Sequence, residues 1–190
     1  MSMRSFIAIE LPDSVRDLLA ALVARLRQSG AKASWVKAEN AHLTLRFLGD
    51  VAEHDLNRLA EWLTLAYREC PPFSLGIAGT GAFPSIRRPE VVWVGVAPVE
   101  EPLLKVQAFA ERGAVHIGLT PETRVYRPHL TVARIRDRHR TGRLPSMLEE
   151  EQAFSAGEFE VGHVSLFHSQ LTPSGPIYRK LREFPLCSTS

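Results

Sequence analysis

Residues 41–50 read AHLTLRFLGD, and residues 127–136 read RPHLTVARIR. His-Leu-Thr thus occurs twice, at His42 and His129, 87 positions apart (129 − 42). With 7 His in the chain, chance predicts about 0.04 such triplets, so the pair demands a cause. In both copies apolar and polar residues alternate, the period of a strand with one buried face. On a regular strand His42, Thr44 and Arg46 point one way, and Leu43, Leu45 and Phe47 the other. In the second copy Arg127, His129 and Thr131 share a face, backed by Leu130 and Val132. Arg134 falls out of phase and reaches that face only if the strand bends or ends. The regular period therefore favours Arg46 over Arg134.

The flanking sequence supplies the rest of a fold. SFIAIE (5–10) alternates as a strand. Pro12, Asp13 and Ser14 then open a helix carrying Leu18, Leu19, Leu22, Val23 and Leu26, closed by Gly30. SWVKA (34–38) and HLTLRFLG (42–49) read as strands. A second helix follows, with Leu56, Leu59, Trp62, Leu63 and Ala66 on or near one face. FSLGIAG (73–79) and VVWVGV (91–96) read as strands joined by the loop GAFPSIRRPE. A helix over 101–118 and a strand over Arg124–Arg134, interrupted at Pro128, repeat the pattern. A charged segment (137–152) is helical near SMLEEEQ, and strands at 157–169 and 176–180 finish the chain. Each half offers a helix, a His-Leu-Thr strand and further strands, which points to an internal duplication. No low-complexity run separates the halves. Residues 1–190 read as one bilobal catalytic domain, with both motifs facing a single cleft.

Composition bounds the function. Hydrophobic content of 45% and charged content of 23% are ordinary for a soluble globular chain. Its longest apolar runs, FIAI (6–9) and VVWVGVA (91–97), are too short to cross a bilayer. The start MSMRSFIAIELP lacks the apolar region and cleavage site of a secretory signal. Cys70 and Cys187 form no CxxC, so neither a disulfide framework nor a thiolate metal site is expected. The expectation is a cytoplasmic enzyme or binding protein with no membrane attachment and no obligate protein partner. Net charge is only +2, but seven arginines (124, 127, 134, 136, 138, 140 and 143) face one acid, Asp137, between Arg124 and Arg143. Clustered arginine is the footprint of a phosphate-rich ligand, although on its own it equally suits a solvated loop.

One histidine on each side of a bound group suits displacement at phosphorus. Histidine titrates near neutrality, so one ring accepts a proton from the attacking oxygen while the other gives one to the leaving oxygen. Threonine hydroxyls and arginines then hold the non-bridging oxygens. Neither a metal nor a cofactor is required. No HExxH-like spacing offers a zinc site. GTG (79–81) lacks the GK[ST] ending of a phosphate loop. His54, His116, His139, His163 and His168 read as structural or surface histidines.

The paired H-x-[ST]-x motifs are the signature of the two-histidine phosphoesterase superfamily. RSFIAIELP, WVKAENAHLTLRFLGDV, GAFPSIRRPEVVWVGV, YRPHLTVAR and SQLTPSGPIYRKLREFPL together resemble the bacterial and archaeal RNA 2′,3′-cyclic phosphodiesterases, also called 2′-5′ RNA ligases. The resemblance implies a bilobal α+β fold with two pseudo-symmetric lobes, largely antiparallel sheets lining a central groove, and helices outside. It implies hydrolysis of a terminal 2′,3′-cyclic phosphate on RNA ends, tRNA fragments among the candidates, to a 2′-phosphomonoester, with reversible 2′-5′ joining of RNA ends as a related capacity. It assigns His42 as proton donor and His129 as proton acceptor, with Thr44, Thr131, Arg46, Arg127 and Arg134 around the phosphate. Two alternatives stand beside it: an esterase of small cyclic nucleotides or ADP-ribose cyclic phosphate, and an RNA-end-binding module with incidental turnover. Sequence neighbours agree with the proton assignment, because Arg127, Arg134 and Arg136 disfavour a charged His129, whereas His42 has only Arg46 nearby and Glu39 not far off.

Overall fold

The computed structural model describes residues 2–173 and 175–187. Among the described residues nine strands form two antiparallel sheets, and four α-helices cover them. One sheet has the order β3-β1-β8-β9, built from β1 (Ser2–Glu10), β3 (His42–Ala52), β8 (His163–Thr172) and β9 (Gly175–Pro185). The other has the order β2-β6-β5-β4-β7, from β2 (Ala33–Trp35), β6 (His129–Ile135), β5 (Arg88–Val96), β4 (Phe73–Ser85) and β7 (Ser155–Val161). The histidine strands β3 and β6 therefore lie in different sheets, as the two-lobe reading requires.

The helices form where apolar residues recur at helical spacing. Helix α1 (Asp13–Arg27) buries Val15, Leu19, Leu22, Val23 and Leu26, begins after Pro12, and has Asp13 in its first turn. Leu18, expected on that stripe, stays half exposed at 46%. Helix α2 (Glu53–Tyr67) buries Leu56, Leu59, Ala60, Leu63 and Tyr67. Helix α3 (Glu101–His116) carries Pro102 in its first turn and crosses α2 closely at Gly113, where any Cβ would meet Leu59 Cδ1 at 2.9 Å. A short helix α4 (Leu144–Glu150) buries Leu144 and Leu148.

The halves of the chain do not each make one lobe. Helix α1 leaves β1 and packs over the opposite sheet beside α4, while α3 leaves β5 and crosses back to join α2 behind β3. Strands β8 and β9 return from the second half to complete the β1–β3 sheet. Strand β8 covers the second edge of β1, and β9 in turn covers β8.

Three element readings need correction. GAFPSIRRPE is no loop: β4 and β5 run through it to a tight turn at Ile86 and Arg87, with Pro84 opposite Pro89 near the tip. GTG (79–81) lies inside β4, where Gly81 leaves room for the Trp93 ring: a Cβ there would meet Trp93 Cζ2 at 2.3 Å. The stretch 157–169 is two strands broken at Gly162, and Arg124–Pro128 is not strand at all, since β6 begins at His129. Residues 117–128 instead form a strap held against β3 and α3 by side-chain bonds described below.

Candidate active site

Strand register decides which residues meet. In β1–β3 the partners Glu10↔His42, Ile9↔Leu43 and Ala8↔Thr44 are followed by Ile7↔Arg46 and Phe6↔Phe47. Leu45 is therefore an extra residue, a bulge, and the residues after it change face. Ile7 belongs to the main core, whereas Phe6 and Ala8 form a small cluster with Phe167 on the sheet's other face. Arg46, opposite Ile7, is thus turned towards the helices, and Phe47, opposite Phe6, faces the cleft. The second motif carries a bulge at the equivalent place. Leu130↔Val94 and Thr131↔Trp93 are followed by Ala133↔Val92 and Arg134↔Val91, leaving Val132 extra. Arg134 comes back into phase with His129 and Thr131.

Strict alternation consequently misplaces four side chains, Arg46, Phe47, Arg127 and Arg134. Arg46 does not line the cleft: its Nε is 2.7 Å from Glu111 Oε2, and its Nη2 donates to the Thr120 carbonyl at 2.6 Å. Arg127 is exposed outside the cleft, because the chain before Pro128 is not a strand continuing the face of His129. Arg134 does line it.

One cavity of about 390 Å³ is lined by His42, Thr44, His129, Thr131 and Arg134 together. Each histidine is held the same way. His42 Nδ1 lies 2.8 Å from the Asn40 carbonyl, and His129 Nδ1 lies 2.6 Å from the Arg127 carbonyl. A carbonyl only accepts, so each Nδ1 carries the proton and each Nε2 is left to exchange one with a bound group. The Asn40 carbonyl is itself fixed, since the Asn40 side chain donates to the Pro176 carbonyl at 3.1 Å.

Their surroundings differ. His42 stacks on Phe6 at 4.6 Å between centroids and meets Tyr178 edge-on at 5.1 Å. His129 meets the edge of Phe83 at 5.0 Å. Burial among rings lowers the His42 pKa below its ordinary value of 6.5, and the bond to the Asn40 carbonyl only partly offsets this. The sequence-neighbour argument for a readily protonated His42 does not survive the fold, because its strongest influence is desolvation by residues distant in sequence.

A strap ties the two motif strands together. The Tyr126 hydroxyl donates to the Thr44 carbonyl at 3.0 Å, and the next residue, Arg127, supplies the carbonyl that orients His129. Arg46 holds the same strap through Thr120, with Glu122 Oε2 at 4.0 Å, while Glu111 Oε1 accepts from the Glu122 amide at 2.8 Å. Sequence reasoning missed Phe6, Tyr178, Asn40 and Tyr126. Of these only Phe6 left a trace, as an aromatic on the face of SFIAIE opposite its core side.

Beyond the cleft the arginine-rich segment lies beside β2 and β5. Arg134, Arg136, Arg138, Arg140 and Arg143 are exposed, as are Arg87 and Arg88 at the neighbouring hairpin. Arg138 pairs with Glu90 at 3.0 Å. Elsewhere Glu10, His163 and Glu183 bring potential ligand atoms within 4.8 Å of one another. The Lys180 ammonium sits 2.7 Å from both carboxylates and balances part of their charge. Among the described residues no helix is long and apolar enough to cross a membrane.

The chain matches a family model, LigT like Phosphoesterase, twice in tandem, over residues 9–93 and 94–178. An RNA 2′,3′-cyclic phosphodiesterase of Methanothermobacter thermautotrophicus is 37% identical, over 98% of this chain and all of the relative. One of Thermotoga maritima is 34% identical over 95% of this chain and 94% of the relative. Among solved structures, that of Escherichia coli LigT with 3′-AMP superposes with a TM-score of 0.81 at 26% identity, covering 99% of this chain and 100% of that one.

Proposed function

Because the chain belongs to the LigT-like phosphoesterase family, we propose that it hydrolyses the 2′,3′-cyclic phosphate at RNA ends to a 2′-phosphomonoester. His129 Nε2 takes a proton from water as its oxygen bonds to phosphorus. The P–O3′ bond breaks, and His42 Nε2 gives its proton to the leaving O3′. With a 5′-hydroxyl end in place of water, the same steps in the same direction join RNA by a 2′-5′ linkage, and their reversal cleaves it. Thr44, Thr131 and Arg134 hold the non-bridging oxygens, where charge builds in the transition state. The roles expected for Arg46 and Arg127 change: Arg46 anchors the strap, and Arg127 acts through its carbonyl on His129.

The observation that carries this reading is the presence of both histidines in one cavity, each with Nδ1 bonded to the carbonyl two residues before it. Binding a cyclic phosphate anion between them favours the protonated His42 that burial disfavours, so substrate arms the acid. The steps need no metal, and the one histidine–carboxylate cluster found among the described residues already holds an ammonium.

RNA is favoured over a small cyclic nucleotide by the exposed arginines that continue from Arg134 along Arg136, Arg138 and Arg140. The test is incubation with an oligonucleotide ending in 2′,3′-cyclic phosphate, with and without EDTA, followed by product identification. A 2′-phosphate with a free 3′-hydroxyl, formed equally under chelation, is the expected result. An unchanged oligonucleotide that nevertheless binds tightly would make this an RNA-end-binding module. Turnover of mononucleotides alone would make it a small-molecule esterase.

A further inference from the structure

Beside His129, two aromatic side chains belong to neither apolar core. Phe83 of β4 and Trp93 of β5 are half-buried, yet among the described residues neither packs with the main core or with the Phe6 cluster. Strand alternation accounts for their face. Val92 and Val94 are fully buried in the main core, so Trp93 between them points to the other side of the sheet. Thr131 lies directly across from it there.

The Trp93 ring rests on two glycines. A Cβ on its cross-strand partner Gly81 would collide with the indole, and one on Gly95 would meet Trp93 Cζ3 at 3.4 Å. Bare backbone at both places lets the ring lie down along the sheet. Phe83 stands 5.4 Å from Trp93, tilted by 40°, and meets the His129 ring edge-on at 5.0 Å. An aromatic surface thus starts at His129 and leads away from the phosphate cavity, whose lining includes His129 and Thr131 but neither of these rings.

Positive charge continues the line. Strands β4 and β5 run on from Phe83 to the hairpin tip, where Arg87 and Arg88 are exposed. Ser85, the partner of Arg88, is two residues past Phe83, about 7 Å along the strand. Aromatic rings followed by guanidinium groups form the pattern that holds a single nucleic-acid strand, by stacked base and by backbone phosphate.

Reaction geometry says which strand. In-line displacement puts the nucleophile opposite the leaving oxygen. With His42 protonating O3′, the nucleophile enters on the side of His129. Water needs no further site there, but a nucleotide does.

Resting on the function proposed above, we infer that Phe83 and Trp93 stack the first base of an incoming RNA strand that begins with a 5′-hydroxyl, while Arg87 and Arg88 take its following phosphates. The pair is an acceptor site for joining, separate from the cavity that holds the cyclic phosphate. His129 Nε2 takes the 5′-hydroxyl proton as O5′ bonds to phosphorus. The P–O3′ bond breaks, and His42 gives its proton to O3′. The product is a 2′-5′ phosphodiester with a free 3′-hydroxyl, and the seated acceptor keeps water off the line of attack.

The experiment supplies the whole chain with one oligonucleotide ending in 2′,3′-cyclic phosphate and a second beginning with a 5′-hydroxyl, and measures joined against hydrolysed product as the second is raised. In wild type the joined fraction should rise and saturate. Trp93→Ala should lower the joined-to-hydrolysed ratio about tenfold or more at subsaturating acceptor, the scale of one lost base–aromatic contact. Trp93→Phe should restore most of it. Wild type given an acceptor whose first residue carries no base should match Trp93→Ala given the normal acceptor, a result that a purely structural tryptophan would not produce. If Trp93→Ala fails to fold, the abasic acceptor on wild type decides alone. Hydrolysis by wild type with no joined product at any acceptor concentration, or a joined fraction indifferent to the first base, would overturn the inference and leave hydrolysis standing. No hydrolysis by wild type would overturn both.

Discussion

The hydroxyl of Tyr126 lies 3.0 Å from the carbonyl of Thr44, joining the approach to the second histidine to the strand that bears the first. Burial raises the Tyr126 pKa far above its ordinary value, so the phenol remains a donor at any pH where the fold survives. Tyr126→Phe keeps the ring and leaves the Thr44 carbonyl short of a partner. Stability should fall by about 1–2 kcal/mol. Turnover should fall more than KM rises, because His129 loses its fixed orientation while the phosphate ligands stay in place. Denaturant melts and steady-state kinetics measure the two effects, and wild-type kcat in a destabilised variant would reduce the bond to a structural role.

His42→Ala and His129→Ala should each lower hydrolysis ~10²–10⁴-fold in a folded protein. Their roles separate on a substrate whose leaving group is activated and needs little protonation. His42→Ala should be largely rescued there and His129→Ala should not. The opposite pattern would exchange donor and acceptor.

Burial fixes the sign of the pH response at His42. Its folded pKa is lowered, so in the free enzyme the imidazole should titrate below 6.5 when followed by NMR. Bound phosphate should move that titration upward. The same shift acts on stability: below pH 6.5 the unfolded chain takes up a proton that the folded site resists, so this group's contribution falls as pH drops. A His42 resonance titrating above 6.5 without ligand would contradict the buried environment.

Arg46 and Arg134 should fail differently. Arg46→Met breaks a mostly enclosed pair with Glu111 and frees the strap, costing about 2–3 kcal/mol of stability. Arg134→Met should leave the melt almost unchanged and lower kcat/KM about 10²-fold through the lost phosphate contact. Similar melting losses in both variants would return Arg134 to a structural role.

The contrast between these arginines shows what the sequence could and could not disclose. His42, Thr44, His129 and Thr131 were legible because a strand's period of two holds over three residues. Beyond Leu45 and Val132 the period breaks, and nothing in LRF or VAR announces an extra residue. The helices were legible from their apolar stripes, yet α1 and α3 cover the sheet opposite their own preceding strands, a choice made by packing across the whole molecule. The pKa influence of Phe6 and Tyr178 on His42 was equally hidden, since Tyr178 lies 136 positions away (178 − 42) in β9.

The basic segment yields a prediction in which length of substrate is the variable. Arg136, Arg138 and Arg140 are exposed and lie outside the cavity that holds the histidines. A dinucleotide filling the cleft leaves them untouched, whereas a longer strand leaving past Arg134 crosses them. Not all three are equally available: Arg138 is paired with Glu90 at 3.0 Å, and Arg136 donates to the Ser34 hydroxyl. Each full phosphate contact on a single strand contributes about 0.7 to the slope of log K against log salt. Replacing the three together should therefore lower that slope by about 1–2 for a long RNA and weaken its binding at low salt. Hydrolysis of a dinucleotide cyclic phosphate should be unchanged. Equal losses on both substrates would relocate these arginines to the reaction centre or to folding, and a long RNA bound with unaltered salt dependence would remove the segment from the RNA path.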